Sequence, residues 1–259
     1  MIISHKHKYL FVELPHTGST AVSRELCENY DGIPILHKHA FYDEFLHVAS
    51  SEEETYFVFS GIRSPLDEAV SVYFKYKTNH KENYTKPERL KKNGGHVTNA
   101  DLRRFSFIKN NDADFPSYFR RFHTYPYDNL SRLSHKEFDF VMRFENLQDD
   151  FAQALGLIGI ELKRPLPVAN KTGGKSRDFI SYYTPEIREQ ARRVFGPFMR
   201  RWGYDFPSEW GDNSVPWSSQ MLFHACGILK KFYWRHLRCN TSLGARLTRK
   251  LSHLRTALL

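Results

Sequence analysis

An α/β fold with a mainly parallel sheet is what this sequence predicts, and three observations predict it. Short apolar or aromatic runs recur at residues 9–14, 55–62 and 137–144. Each is followed by a segment whose apolar residues fall at helical spacing, and proline, glycine or hydroxyl residues mark the joins. The alternation extends over roughly residues 1–207 with no internal repeat.

Residues 9–14 read as a buried strand that stops at Pro15, whose fixed φ and missing N–H suit a turn better than a strand interior. A helix follows to about Tyr30, with Ser19 or Thr20 to cap it and Ala21, Val22, Leu26 and Cys27 as its apolar face. The aromatic and β-branched run TYFVFSGI at 55–62 is the second strand, and Pro65 then sits where a first helical turn tolerates it, opening a helix to about Lys77. Residues 79–112 are polar, basic and glycine-interrupted, which predicts a long excursion carrying a short helix near 101–109. Its cations suit an acidic saccharide; a solvated basic loop is the ordinary alternative. EFDFVMRF at 137–144 is a third strand, and QDDFAQALGL sets Phe151, Leu155 and Leu157 on a helix ahead of Gly159. Thr184-Pro185-Glu186 starts a last core helix bearing Ile187, Ala191, Val194, Phe195 and Phe198.

Composition narrows the class. A hydrophobic fraction of 41% with 15% aromatics excludes a disordered chain, and no apolar run approaches the ~18 residues of a membrane-spanning helix. The amino-terminal residues lack the continuous apolar stretch and cleavage site of a signal peptide. Three cysteines, Cys27, Cys226 and Cys239, form no C-x-x-C pair and no zinc-spaced cluster, so a reducing compartment is the easier reading and no metal is expected. The net charge of +9 calls for an anionic partner.

That charge is unevenly placed. From residue 213 to 259 there is no Asp or Glu and there are eight Lys or Arg, which account for nearly all of the +9. Leu222, Cys226, Leu229, Tyr233 and Leu237 form one stripe and Leu243, Leu247, Leu251, Leu254 and Leu258 a second, as in basic amphipathic helices. The sequence therefore divides into a domain at 1–211 and a helical extension at 212–259. Such an extension lies on an anionic membrane, docks on a partner protein, or packs on its own core. Nucleic acid is not expected, because no RNA- or DNA-reading motif is present.

Two segments carry ligand chemistry. In Leu14-Pro15-His16-Thr17-Gly18-Ser19-Thr20 a strand turns into a helix, so unpaired backbone N–H groups, Gly18 and two hydroxyls can gather at the positive end of a helix dipole. The turn is a phosphate cradle or an N-cap without ligand; it lacks the spacing of a Walker loop. In Arg63-Ser64-Pro65 and on to Ser71 and Tyr73, Arg63 can fork onto a phosphate, and Ser71 joins it only if the chain folds back at Pro65. The ordinary alternative is an Arg neutralising Asp67 or Glu68.

Taken together, the two segments resemble the signatures of sulfotransferases that use 3′-phosphoadenylyl sulfate (PAPS), in their carbohydrate branch. Pro15-His16-Thr17-Gly18-Ser19-Thr20 is similar to P-K-x-G-[ST]-[ST], and Arg63, Pro65, Ser71 and Tyr73 match R-x-P-x-x-x-x-x-S-x-[YW]. Residues 143–160 and 182–207 look like the later helices of that branch, so the resemblance spans about four fifths of the chain. It implies a P-loop-like three-layer fold, a phosphosulfate held by His16 to Thr20, and a 3′-phosphate held by Arg63 and Ser71. The product would be adenosine 3′,5′-bisphosphate. His37-Lys38-His39, in HKHAFYDEF, resembles the segment of uronyl 2-O-sulfotransferases whose histidines supply the base, which implies His39 as base with His37 assisting or binding acceptor. A neutral imidazole suits that work near pH 7. His16 stands where the family has lysine; a tolerated variant is the first reading, a cation relocated to Lys38 and reduced activity the others. Lys175, in the glycine-containing loop 170–175, is expected to close over the nucleotide as a corresponding loop does in relatives, or to lie in an ordinary solvated connection. The expected activity is transfer to a saccharide hydroxyl of a polysaccharide or glycolipid, in the cytoplasm or peripherally on the inner membrane face. Protein tyrosine or a small molecule as acceptor, and a non-catalytic nucleotide- or nucleic-acid-binding module, are the alternatives.

Overall fold

The structure is a computed structural model and describes residues 1–128, 138–167, 173–176 and 178–232. In chain order the elements are β1 (Ile2–Ser4), β2 (Tyr9–Val12), α1 (Ser19–Asn29), β3 (Ile33–Pro34), α2 (Tyr42–Leu46), β4 (Phe57–Ile62), α3 (Pro65–Lys77), α4 (Asn99–Asn110), α5 (Phe115–Phe122), β5 (Phe140–Arg143), α6 (Leu147–Leu157), α7 (Pro185–Trp202) and α8 (Trp217–Phe232). They divide into two compact units. One comprises Met1–Ile62, Asp128–Ala169 and the chain from Leu222; the other comprises Arg63–Tyr127 and Asn170–Met221.

The first unit holds the sheet, in the order β3-β1-β2-β4-β5. β2 and β5 each pair with β4 in parallel, with Leu10 opposite Val58 and Ser60 opposite Val141. β1 runs antiparallel to both β2 and β3, so it alone opposes a common direction and the sheet is mainly parallel, as predicted. Alternate residues of β2 face opposite sides. Tyr9 and Phe11 join Phe59, Val22, Leu26, Phe151 and Leu155 in a core that α1 and α6 cover. Leu10 and Val12 join Ile3, Val58, Tyr42 and Phe45 in a second core beneath α2. Covering both faces explains why the strands read as continuous apolar runs, and it makes this unit three-layered.

The second unit is helical and its core is aromatic. Tyr73, Phe115, Tyr118, Phe119, Tyr183 and Phe195 are buried among α3, α5 and α7, with ring centroids 5.0 Å apart for Phe115 and Tyr183 and 5.4 Å for Phe119 and Phe195. Buried tyrosines need a partner for the hydroxyl; Tyr73 donates to the Ala113 carbonyl at 2.8 Å and Tyr183 to the Leu66 carbonyl at 2.9 Å.

Several elements differ from the sequence reading. β1 and β3 are too short to leave a periodic signal, and β3 ends in a proline, an edge-strand residue. α4 starts earlier than expected because Thr98 and Asp101 cap it reciprocally, Thr98 N–H donating to Asp101 at 2.8 Å and Asp101 N–H to Thr98 Oγ1 at 3.2 Å. α5, which the sequence reading missed, has Asp114 as its cap and Pro116 in its first turn. α1 is capped by neither Ser19 nor Thr20: its N-cap is Gly18, in a left-handed conformation that places both hydroxyl residues inside the first turn.

The C-terminal stripe is described only in part. Tyr233, Leu237 and the whole second stripe, Leu243 to Leu258, lie outside the described residues. Within α8, Leu222 and Leu229 are exposed, while Ser219, Phe223 and Gly227 are the buried positions. The ion pair of Lys230 with Asp128, at 3.2 Å on the flank that holds Phe223, sets that orientation.

Candidate active site

In the sheet unit the chain leaves β2 and must reverse before α1. Two consecutive turns are made through left-handed backbone, at His16 (φ 64°) and Gly18 (φ 79°). Histidine tolerates that region better than bulky or β-branched residues, and glycine adopts it without strain. A Cβ on Gly18 would come within 2.6 Å of Leu147 Cδ2 and 3.3 Å of Phe144 Cδ2, so the start of α6 is packed against a bare backbone. Thr17 is buried and donates to the Leu14 carbonyl at 3.0 Å, tying the turn to the end of β2. Its other neighbour is Gly61 of β4, where a Cβ would meet Thr17 Cβ at 3.3 Å. With no side-chain cap, the Ser19 and Thr20 N–H groups have no acceptor among the described residues. They lie at the positive end of the α1 dipole, an arrangement that receives anions.

The His-Lys-His segment folds onto this turn. Lys38 Nζ donates to Thr20 Oγ1 at 2.9 Å, bringing an ammonium to the hydroxyl end of the loop. His39 is half-buried and its Nδ1 lies 2.8 Å from the Glu13 carbonyl oxygen, which can only accept. The imidazole therefore carries its proton on Nδ1 and keeps the lone pair on Nε2. Burial holds the His39 pKa below the ordinary histidine value, with the Lys38 charge acting in the same direction. His37 is exposed and differently engaged: Nε2 lies 3.0 Å from Glu44 Oε2 and Nδ1 3.0 Å from the Lys38 carbonyl oxygen. Glu44 also accepts from the Phe41 N–H at 3.1 Å, so His37 is anchored to the first turn of α2. His16 is exposed at the crest of the turn.

The helical unit builds its own charged group. Arg63 directly follows β4, and Pro65 starts α3 as its first residue. The fold-back that the sequence left conditional is made: Arg63 Nη2 donates to Ser71 Oγ at 2.8 Å. The alternative partner is present too, since Arg63 Nε and Nη2 reach Asp67 Oδ2 at 2.8 and 2.6 Å. Lys175 arrives from the glycine loop, donating to the other Asp67 oxygen and, at 3.0 Å, to Ser71 Oγ. Arg63, Asp67 and Ser71 are all buried. Glu68 on the same turn is buried, takes a hydrogen bond from Tyr127, and has its pKa raised by desolvation. Lys75, one turn beyond Ser71, has its ammonium pKa lowered by burial and by the Arg63 charge. The sequence reading passed over Lys75; its i+4 spacing from Ser71 was the available signal.

A separate cavity of about 700 Å³ lies along α4 and α5. Arg103, Arg104 and Arg121 line it with Ser106 and Asn110, and no carboxylate does. Arg104 lies 5.7 Å from the Phe122 ring centroid and Arg121 5.2 Å from that of Phe107, so two guanidinium planes are held over aromatic rings. Among the described residues none of the three arginines has an ion-pair partner.

The model of the sulfotransferase family matches residues 1–204. The chain belongs to the sulfotransferase family. Both the 14–20 turn and the segment from Arg63 to Tyr73 lie inside the matched span. No curated protein matches the chain. A solved structure, mouse sulfotransferase SULT7A1 complexed with PAP, is similar at 15% identity and a TM-score of 0.37, over 76% of this chain and 86% of that one. Among the described residues of this sulfotransferase no His, Cys, Asp or Glu side chains are grouped to hold a metal ion.

The packing at Gly18 generates a prediction. Gly18→Ala puts a Cβ into the Leu147 contact and strains a left-handed backbone, at a cost of about 1–3 kcal/mol. Urea denaturation checks it; an unchanged midpoint would show that the turn relaxes freely.

Proposed function

We propose that this sulfotransferase moves a sulfuryl group from PAPS to a hydroxyl of an acidic saccharide in a polysaccharide or glycolipid. The observation that carries the donor assignment is the meeting of Arg63, Lys175 and Ser71 on one buried point. Two cations and a hydroxyl suit a phosphate monoester, whose three oxygens take charge-assisted bonds from a guanidinium fork and an ammonium together. The cations are already desolvated and partnered by Asp67, so a phosphate would compete with a carboxylate for groups held in place. PAPS supplies the sulfuryl group, and adenosine 3′,5′-bisphosphate remains. In the sheet unit, the fit to an anion rests on the open Ser19 and Thr20 N–H groups and on a turn whose glycine leaves the backbone bare.

The chain's own residues divide the remaining work. His39 Nε2, with its lone pair fixed by the Nδ1 bond to Glu13, takes the acceptor hydroxyl proton. Lys38 supplies the cation that the family places at residue 16, because its ammonium already reaches Thr20. His37 positions Lys38 through its bond to the Lys38 carbonyl. The proposal thus takes the relocated cation, Lys38, ahead of a tolerated variant at His16. For the acceptor, two features support an acidic sugar: the HKHAFYDEF segment and the arginine-lined cavity along α4 and α5.

Three outcomes follow. In thermal-shift titrations adenosine 3′,5′-bisphosphate stabilises the protein more than ATP or AMP, and Arg63→Ala weakens its binding at least ~10-fold, the size of a lost charged hydrogen bond; absence of any 3′-phosphate preference would overturn the donor assignment. In single-turnover assays His39→Asn loses about 10²–10⁴ in rate with nucleotide binding intact, Lys38→Ala loses more rate than His16→Ala, and the acid limb falls below pH ~6.5 because burial disfavours the imidazolium. A limb above that value, or a larger loss in His16→Ala, contradicts these roles. Radiolabelled sulfate goes to carboxylated or sulfated oligosaccharides in preference to neutral ones, and Arg121→Ala raises KM only for the former; equal transfer to tyrosine peptides counts against the saccharide.

A further inference from the structure

α8 presents an apolar half-cylinder to solvent. At 100° per residue, Trp217, Met221, Leu222, Ala225, Ile228, Leu229 and Phe232 fall within one continuous arc of the helix. Trp217, Ile228, Leu229 and Phe232 are 76%, 69%, 67% and 56% exposed, respectively, against 1% for Phe223 on the flank that faces the protein. A scattered exposed leucine needs no explanation, but seven apolar residues aligned on one helix face do. Among the described residues no helix is long and apolar enough to cross a membrane.

The charge around this face selects its occupant. No Asp or Glu occurs from residue 213 to 259, and eight Lys or Arg follow from Lys230 onward. A second copy of the chain would bring a like charge against this face and be repelled. An anionic bilayer neutralises the same charge while its acyl boundary takes the apolar arc, with Trp217 and Phe232 among the aromatic residues of that arc. We propose that α8 is a membrane-surface helix that lays its apolar half into the headgroup boundary of an anionic bilayer.

Vesicle co-sedimentation of the full chain tests this. The protein sediments with vesicles of phosphatidylcholine and phosphatidylglycerol in equal parts and stays in solution with phosphatidylcholine alone. Raising salt to about 1 M, where screening acts within ~3 Å, releases much of it. The Ile228→Asp/Leu229→Asp double variant changes two exposed positions; it keeps its thermal midpoint and loses about tenfold or more of its partitioning. Equal sedimentation of the variant, or of the native chain on both vesicle types, overturns the proposal. So does a native dimer in sedimentation velocity that the double variant abolishes, since a second copy then covers the face. These readouts use neither nucleotide nor acceptor, so they stand whether or not the sulfuryl-transfer roles hold.

Discussion

A guanidinium taken out of water has to be paired, and Arg63 is the residue on which that requirement falls. It is 8% exposed, directly after the central strand and ahead of the first turn of α3. Leaving such a charge buried without a partner costs several kcal/mol. Asp67, four residues on, supplies the carboxylate, and Ser71, one further turn along the same face, supplies a hydroxyl. Because the partners lie at i+4 and i+8 on one helix, pairing Arg63 also fixes how the chain turns at Ser64. Lys175 then has a docking point, the second Asp67 oxygen, which holds Gly174 and Lys175 against the helix. A stability requirement thereby assembles the very set of groups that a phosphate would need.

The turn before α1 follows a different constraint, one of space. Leu147 and Phe144 pack so closely on residue 18 that a side chain there is excluded, and the left-handed conformation of Gly18 removes the possibility of a Ser or Thr cap. The first N–H groups of α1 are left open as a result. Lys38 and His39 enter by hydrogen bonds to the adjoining chain, one to Thr20 and one to the Glu13 carbonyl. The same bond that anchors His39 selects its tautomer, so placement and chemistry have a single cause.

Legibility varied by residue. Pro15, Pro65 and the Thr184-Pro185-Glu186 start were readable because proline's fixed φ and missing N–H act locally, and α3 began and ended where the sequence placed it. β1 was not readable, since three residues of strand carry no period, whereas α5 did carry a local start signal, Asp114 and Pro116, that was passed over just after the polar excursion. At the site, Arg63, Ser71 and the 15–20 turn stood out in the sequence. Lys75 did not, nor did the contact of Lys38 with Thr20, because both depend on which side chains the fold brings together.

By itself the sequence determined the alternation of strands and helices, the two ligand-bearing segments and the concentration of positive charge beyond residue 213. Each of these is set by covalent order and local backbone preference, which do not need the rest of the chain. Only the tertiary structure decided that Arg63 meets Ser71 and Lys175, that Lys38 reaches Thr20, that His39 holds its proton on Nδ1, and that α8 buries Phe223 while turning its apolar half outward. Those outcomes depend on contacts between residues far apart in sequence, where burial forces each polar group to find a partner and the packing of one face leaves the other to solvent.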